Sequence, residues 1–158
     1  GSSQPERVAF SLRVDEVQRA VKGALKAIDE LLVATGAIKE SLQSSAADPT
    51  LYREVQAIDK RARLLRDRLS LNRTRDQMGD PGTIPVGHRL GVAAYGARSS
   101  AYGPTATHRL SLDIAEEDFA EVHQALEELV NSDFDSLQAR LEAAGVPWTP
   151  GRGVPQLN

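Results

Sequence analysis

The stretch 15-DEVQRAVKGALKAIDELLVATGAIKESL-42 decides the fold. Mostly apolar side chains recur in it at steps of three and four residues, at Val17, Val21, Leu25, Ile28, Leu32, Thr35, Ile38 and Leu42. This spacing places them along one face of an α-helix. Asp15 stands where a helix N-cap is expected. We therefore predict a long amphipathic helix that begins at Asp15.

A second helix follows after a short connection. Asp48-Pro49 predicts its start, with Asp as the N-cap and Pro at the first helical position. Its apolar face comprises Leu51, Val55, Ile58, Ala62, Leu65, Leu69 and Asn72. Because the connection is short, the two helices are expected to form an antiparallel hairpin.

The remaining sequence predicts further helices. The segment 78-MGDPGTIPVGH-88 contains three Gly and two Pro and ends the second helix. A short Gly-rich helix is expected over 86–100, and Gly103-Pro104-Thr105 begins the next one. The predicted face of that helix is Ala106, Leu110, Ile114, Phe119, Val122, Leu126 and Leu129. Asn131-Ser132-Asp133 interrupts it, Asp133 caps a last helix, and Gly145 and Pro147 end that helix. The fold class is all-α: an antiparallel up-and-down bundle of four main helices plus the short one.

The two ends are expected to be extended. The chain opens Gly-Ser-Ser without Met, which suggests a cloning scar followed by an internal fragment. In 7-RVAFSLRV-14 apolar residues alternate, as in a strand. This segment is either an extended lead-in lying on the bundle or a strand cut from an upstream β-domain. The predicted organisation is a lead-in over 1–14, a bundle over 15–145 and an extended Pro/Gly-rich tail over 146–158, anchored by Trp148.

Composition agrees with one helical domain. Of the 158 residues 41% are hydrophobic but only 4% are aromatic, so the core must consist of Leu, Val, Ile and Ala. The chain has no Cys, which excludes disulfides. It also has no apolar run of about 18 residues, so we predict no membrane span.

Charge is distributed unevenly along the chain. Residues 48–76 contain eight basic and five acidic residues, whereas residues 112–145 contain ten acidic residues and one basic residue, Arg140. A basic stripe is typical of nucleic-acid binding, but this one lacks interleaved aromatic side chains for stacking on bases. We therefore favour pairing of the basic helix with the acidic one, and expect no nucleic-acid partner.

The segment 91-GVAAYGARSSAYGPTATHR-109 concentrates the chain's candidate binding residues, because two Ala-Tyr-Gly copies lie seven residues apart. An anion or ligand site here would use Arg89, Tyr95, Arg98, Tyr102, His108 and Arg109, near the helix that starts at Thr105. The spacing does not fit a Walker phosphate loop or a GxSxG nucleophile turn.

Packing is the alternative role for this segment. Tyr95 and Tyr102 would lie on one side of a helical segment, while the neighbouring glycines allow close approach to the first hairpin. If both rings fill the core, Tyr95→Ala or Tyr102→Ala would cost about 3 kcal/mol of stability.

Metal and acid–base chemistry are not indicated. His88, His108 and His123 occur in no metal-binding signature. The acidic runs 116–118 and 127–128 are typical of a solvated helix face. We expect no catalytic residue, no metal and no cofactor.

Three segments together resemble a known family: LGVAAYG at 90–96, SSAYGPTATHR at 99–109 and AAGVPWTPGRGVP at 143–155. Their order is similar to the C-terminal helical region of large bacterial propeller proteins with BNR (Asp-box) repeats, which are sialidase-like or sortilin-like and are often described as glycosyl hydrolases. The resemblance implies a β-propeller and a β-sandwich-like module upstream, and an extracellular or cell-envelope location. It implies no catalytic residue here, because the Asp-box pattern Ser-x-Asp-x-Gly-x-x-Trp does not occur in this chain.

Our leading hypothesis is therefore a non-catalytic module that docks on other domains of its parent chain or on a protein partner. Two other hypotheses stay open. One is a four-helix bundle that binds a small ligand or anion through the loop 88–109. The other is a dimerisation module in which the hairpin 15–75 pairs with a second copy.

Overall fold

A computed structural model describes residues 2–70, 84–99, 101–146 and 148. Within these ranges the elements are α1 (Gln4–Gln43), α2 (Pro49–Leu69), α3 (Val86–Ser99), α4 (Ala106–Glu128), a π-helical segment (Leu129–Phe134) and α5 (Asp135–Ala143). The same ranges contain no strand. The prediction of an all-α helical bundle is confirmed.

The prediction of an extended lead-in or strand over 7–14 is wrong, because α1 already begins at Gln4. Ser3 and Glu6 form a capping box there: the Ser3 amide donates to Glu6 Oε2 (3.2 Å), and the Glu6 amide donates to Ser3 Oγ (3.3 Å). The helix thus starts well before Asp15, directly after Ser3.

The apolar face of α1 explains why its first turns are helical. Buried side chains follow one another at strictly alternating steps of four and three residues: Phe10, Val14, Val17, Val21, Ala24, Ile28, Leu31, Thr35, Ile38 and Leu42. Phe10 and Val14 continue this pattern, whereas Val8 and Leu12 remain 48% and 60% exposed. The alternating apolar residues at 8, 10, 12 and 14 therefore lie on two faces of the helix: positions 10 and 14 face the core, and positions 8 and 12 face solvent. Within the later turns, the buried positions are Ala24 and Leu31 rather than the predicted Leu25 and Leu32.

The chain divides into two compact units, of which the first contains residues 1–23 and 67–122. Here the start of α1 lies beside α4, and the two run in the same direction. Arg13 forms ion pairs with Asp113 (2.9 Å) and Glu116. The Arg109 guanidinium lies 5.5 Å from the centroid of the buried Phe10 ring. Polar and cation–π contacts thus accompany the apolar packing of α1 on α4.

Two glycines bring α3 close to its neighbours in the first unit. A Cβ on Gly87 would lie 2.6 Å from the Ser70 carbonyl oxygen, just after the end of α2. A Cβ on Gly96 would lie 2.3 Å from the His108 ring of α4. Both positions therefore require the absence of a side chain, which confirms that glycines permit close packing in this segment.

The second unit contains residues 24–66 and 123–158. In it α1 and α2 form the predicted antiparallel hairpin, with Asp48 as the N-cap of α2 through Oδ1 and the Thr50 amide (2.9 Å). This hydrogen bond lowers the pKa of the Asp48 carboxyl. Six predicted core residues of α2 are buried: Leu51, Val55, Ile58, Ala62, Leu65 and Leu69. Asn72, the seventh, lies outside the described residues.

The predicted break at Asn131-Ser132-Asp133 is wrong, since helix continues from α4 through the π-helical segment into α5. Asp133 is not an N-cap; it pairs instead with Arg61 of α2 at 2.8 Å. The π-helical segment inserts one residue into the helix, because the buried positions step from Leu126 to Val130 and Phe134 by fours. This extra residue turns Leu137 and Leu141 toward the core.

In the N-terminal half of α4 the buried side chains are Leu112 and Ala115, whereas Leu110, which was predicted to face the core, is exposed. α5 ends in a Schellman motif: Gly145 has φ +67°, and the Val146 amide donates to the Leu141 carbonyl (3.0 Å). Trp148 contacts Phe134 edge-on at 5.9 Å between ring centroids, as an anchor should. The rest of the predicted tail, 147 and 149–158, lies outside the described residues.

The start of α1 can be tested by truncating two neighbouring side chains. We expect Phe10→Ala to lower the free energy of unfolding by about 3–5 kcal/mol, because its ring is buried. Leu12→Ala, on the exposed face, should change it by no more than about 0.5 kcal/mol. Urea unfolding followed by circular dichroism measures both. Equal effects would contradict a helical register over 7–14.

The close approach of α3 to α2 gives a second prediction. Gly87→Ala should lower the free energy of unfolding by about 1–3 kcal/mol, because its Cβ would overlap backbone carbonyls that cannot move independently. Gly91→Ala in the same helix is the control: nothing lies within 4 Å of its Cβ, and alanine should raise stability by up to about 1 kcal/mol. Thermal unfolding should show opposite shifts, and a destabilised Gly91→Ala would contradict the packing.

Candidate functional site

The two tyrosines of the repeated Ala-Tyr-Gly motif face solvent. Tyr95 is 63% exposed on α3, and Tyr102 is 79% exposed in the loop before α4. The prediction that both rings fill the core, and the stability loss of about 3 kcal/mol expected from it, are wrong. The seven-residue spacing did not place them on one helix, because α3 ends at Ser99.

The backbone around Tyr102 is held by the start of the chain. The Tyr102 carbonyl accepts a hydrogen bond from the Ser2 amide (3.1 Å), and the Ala101 carbonyl accepts one from the Arg7 guanidinium (2.6 Å). Gly103 has φ +86°, a conformation that favours glycine, and it lies close to Ser2 and Arg7. The exposed Tyr102 ring thus projects from a fixed loop.

His108 closes the first turn of α4 through a reciprocal cap. Its amide donates to Thr105 Oγ1 (3.3 Å), while the Thr105 amide donates to His108 Nδ1 (3.0 Å). This arrangement is a capping box in which histidine takes the place usually held by Glu or Gln. The ring covers Gly96 and meets the Tyr95 ring edge-on at 6.3 Å. Of the six predicted site residues, Tyr95 and His108 are brought together in this way.

The three predicted arginines have different surroundings. Arg109 donates to Ser2 Oγ (3.1 Å) and covers Phe10, so it serves the packing of α1 on α4. Arg98 is exposed in the last turn of α3. Arg89 is half-buried, and its Nε forms no hydrogen bond with the described residues. The amide that an anion would meet first at α4, that of Thr105, already donates to His108.

A shallow groove of about 370 Å³ runs along the outer side of α3 beside Tyr95. Its lining consists of Gly87, His88, Gly91, Val92 and Tyr95. The surface is mostly apolar, because the glycines leave backbone and the Val92 side chain as its floor. The Tyr95 ring forms one wall and is available for contact with another molecule.

A second cluster, which the sequence did not predict as a unit, lies within the α1–α2 hairpin. Asp59 is only 8% exposed and accepts hydrogen bonds from Thr35 Oγ1 (3.0 Å) and Arg63 Nε (2.8 Å). Lys39 Nζ lies 3.5 Å from the same carboxylate. Burial alone would raise the pKa of Asp59, but the hydrogen bonds from Arg63 and Thr35 and the nearby cations lower it overall.

One residue in the sequence indicated a polar contact at this position. Thr35 occupies a core position on α1 and is fully buried, so its hydroxyl needs a partner inside the protein. It donates to both the Leu32 carbonyl (3.1 Å) and Asp59. The cluster joins the two helices through Asp59, which accepts from Thr35 and Arg63 and lies beside Lys39. We interpret the cluster as a lock on the hairpin register.

Two basic residues of α2 form ion pairs with the acidic helical segments. Arg68 pairs with Glu121 at 3.0 Å, and Arg61 pairs with Asp133 at 2.8 Å, in the sense that the sequence predicts. Arg140 of α5 pairs with Glu54 of α2 in the opposite sense.

The described ranges contain neither a metal-binding cluster of side chains nor a membrane-spanning helix. No group of three or more His, Asp or Glu side chains there is placed to hold a metal ion. Among the helices described, none combines the length and apolarity needed to cross a bilayer.

Comparison with protein-family models, curated protein sequences and solved structures finds no match to this chain. Function must therefore be inferred from the residues and their geometry.

The Asp59 cluster predicts a pH-dependent contribution to stability. Asp59→Asn should lower the free energy of unfolding at neutral pH by about 1–3 kcal/mol, because the charge-assisted hydrogen bond from Arg63 and the attraction of Lys39 are lost. A carboxyl whose pKa is lowered by folding stabilises the protein fully above its unfolded-state pKa of about 3.9. The difference between wild type and variant should therefore shrink as pH falls below that value.

A matched control lies on the same hairpin. Asp29 also faces an arginine of α2, Arg66, at 3.8 Å, but its side chain is 66% exposed. Asp29→Asn should cost less than about 1 kcal/mol. Urea unfolding over a pH series measures both variants. Equal losses of unfolding free energy would show that the buried Asp59 stabilises the protein no more than the exposed Asp29.

Proposed function

We propose that this chain is a non-catalytic helical-bundle module that docks on a protein surface through its exposed tyrosine pair, Tyr95 and Tyr102. The observation that carries the proposal is the exposure of these two rings, 63% and 79%, on a backbone fixed by packing. Tyrosine and arginine are enriched at the centres of protein interfaces, where the ring excludes water and the hydroxyl finds a partner.

Rigidity of the tyrosine pair supports this function. Tyr95 stands on α3, whose position is set by the close contacts of Gly87 and Gly96. Tyr102 stands on a loop held by Ser2 and Arg7. Since little backbone freedom is left to lose, binding through these rings costs less conformational entropy than binding through a flexible loop.

The surroundings of the pair are suited to a protein partner. Arg98 lies one helical turn after Tyr95 and is exposed, and the groove beside Tyr95 is apolar and open. Isolated exposed aliphatic residues such as Val33 are normal on any protein surface. Two exposed aromatics with an arginine between them are a more specific feature.

The partner proposed is another domain of the parent chain or a separate protein. The resemblance to the C-terminal region of exported BNR-repeat propeller proteins is the reason to place a β-domain of the same chain first. In that setting the module would act outside the cytoplasm or in the cell envelope, and any hydrolytic chemistry would belong to the parent's propeller.

The alternative of an anion site is favoured by one observation, the exposed Arg98 close to the start of α4. It requires phosphate or a carboxylate to compete with His108 for the Thr105 amide. The dimerisation alternative requires the exposed aliphatic residues of the hairpin, Val33 and Leu64, to meet a second copy.

The tyrosine pair can be tested by site-specific photo-crosslinking. A photoreactive phenylalanine at position 95 or 102 should crosslink to another protein domain when the full parent chain is made in its own host. The same residue at Val33, which is also exposed but lies on α1, is the matched control. Crosslinked peptides identified by mass spectrometry reveal the partner. Yields no higher than at Val33 would contradict the proposal.

Substitution separates docking from stability. Tyr95→Ala and Tyr102→Ala should each change the free energy of unfolding by no more than about 0.5 kcal/mol, because the rings are exposed. They should nevertheless weaken the interaction found by crosslinking. Shifts of the Arg98 and Thr105 amide resonances on adding inorganic phosphate would favour the anion site instead. Concentration-dependent sedimentation would favour the dimer.

A further inference from the structure

We propose that His108 makes the α3–α4 loop acid-labile, because its imidazole is the hydrogen-bond acceptor of the capping box that begins α4. The Thr105 amide can only donate, and it lies 3.0 Å from His108 Nδ1. The Nδ1 atom must therefore carry a lone pair, and the ring proton of the neutral imidazole must be on Nε2.

Protonation removes this acceptor. In the imidazolium both ring nitrogens carry hydrogen, so Nδ1–H would point at the Thr105 N–H. The Thr105 hydroxyl oxygen, 3.1 Å from the same nitrogen, could accept from Nδ1–H, but the Thr105 amide would still lose its acceptor. A positive charge in the first turn also opposes the helix dipole, whose N-terminal end is positive. The neutral ring is thus the form that fits the closed cap.

The residues usually found at this position of a capping box, Glu and Gln, do not behave in this way. Glu and Gln keep an acceptor oxygen throughout the neutral and mildly acidic range, and histidine is the side chain that ordinarily changes charge between about pH 5 and pH 8. A histidine cap therefore makes the start of a helix responsive to conditions in which a Gln cap would stay closed.

The ring's other neighbours do not compensate for the lost cap. From α3 it is faced by Tyr95 and by the backbone of Gly96. The charged side chains that bind this loop or the adjoining start of the chain are cations: Arg7 of α1 donates to the Ala101 carbonyl, and Arg109 of α4 donates to Ser2 Oγ. None of the hydrogen bonds or ion pairs of the described residues brings a carboxylate to His108.

Opening of the cap would reach beyond Thr105. The loop that it closes supplies the Ala101 and Tyr102 carbonyls that hold Arg7 and Ser2. Release of the loop therefore loosens the attachment of the first turn of α1 and the position of the Tyr102 ring. This acid response is a property of the cap itself and does not depend on what the tyrosine pair binds.

The test uses amide hydrogen exchange followed by NMR, corrected for the intrinsic pH dependence of exchange. Between about pH 7.5 and pH 5.5, protection of the Thr105 and His108 amides should fall roughly fivefold, the factor expected for loss of one helix cap. In His108→Gln the amide oxygen keeps the capping box, and protection should stay constant. His88→Gln, at an exposed site on α3, should behave as wild type.

Site-specific amides are needed because the chain contains two further histidines, His88 and His123. A global melting temperature would not separate their contributions from that of His108.

A second measurement does not depend on any variant folding. Long-range ¹H–¹⁵N spectra of the wild-type ring at about pH 7.5 should show the proton on Nε2. A proton on Nδ1 would overturn the proposal, as would unchanged wild-type protection at the acidic pH or an equal loss of protection in His108→Gln.

Discussion

The apolar seam of α1 is the constraint on which the rest of the structure depends. Ten of its buried positions, from Phe10 to Leu42, form a series with alternating steps of four and three residues, and Ala27 and Ala34 widen this face. With so few aromatic residues in the chain, such a seam must bury many small and aliphatic side chains to offset the entropy of folding. The other helices therefore show the same spacing where they are buried, as α2 does from Leu51 to Leu69.

The sequence predicted the features that follow from this periodicity. These features are the helical class, the antiparallel hairpin, the N-cap at Asp48 and the end of the last helix at Gly145. Each follows from a local sequence pattern with a direct physical cause. The errors arose where two patterns overlap. Phe10 and Val14 belong both to an alternating run and to the helical seam, and only the longer seam shows which pattern folds. The capping box of Ser3 and Glu6 would have decided the case.

The candidate site was less predictable, because exposure depends on long-range packing. Tyr95 and Tyr102 were expected to be buried from their size and spacing, but the close approach of Gly96 to His108 moves the helix contact to the glycine side of α3. Asp59 gave no periodic signal either. Its role is visible only when Thr35 and Lys39 of the neighbouring helix are placed beside it.

Polar groups therefore do two different jobs in this protein. In the Asp59 cluster, a buried hydrogen bond between Thr35 and Asp59 joins the two helices of the hairpin and favours the alignment in which these residues meet. The caps at Ser3, Asp48 and Thr105 set where helices begin. Of these caps, the one at Thr105 is completed by the imidazole of His108, which accepts the hydrogen bond of the Thr105 amide.

The π-helical segment at Leu129–Phe134 has a consequence for chain length. Upstream of it the buried positions include Val122 and Leu126, within it they include Val130 and Phe134, and downstream they continue at Leu137 and Leu141. If one residue were deleted within the segment, the downstream positions would fall on the heptad that Val122 and Leu126 begin, and an ordinary α-helix would carry the same core. Two chains that differ by one residue in this turn could therefore share the same helical core. The longer chain would have a π-helical turn where the shorter one has an α-helical turn.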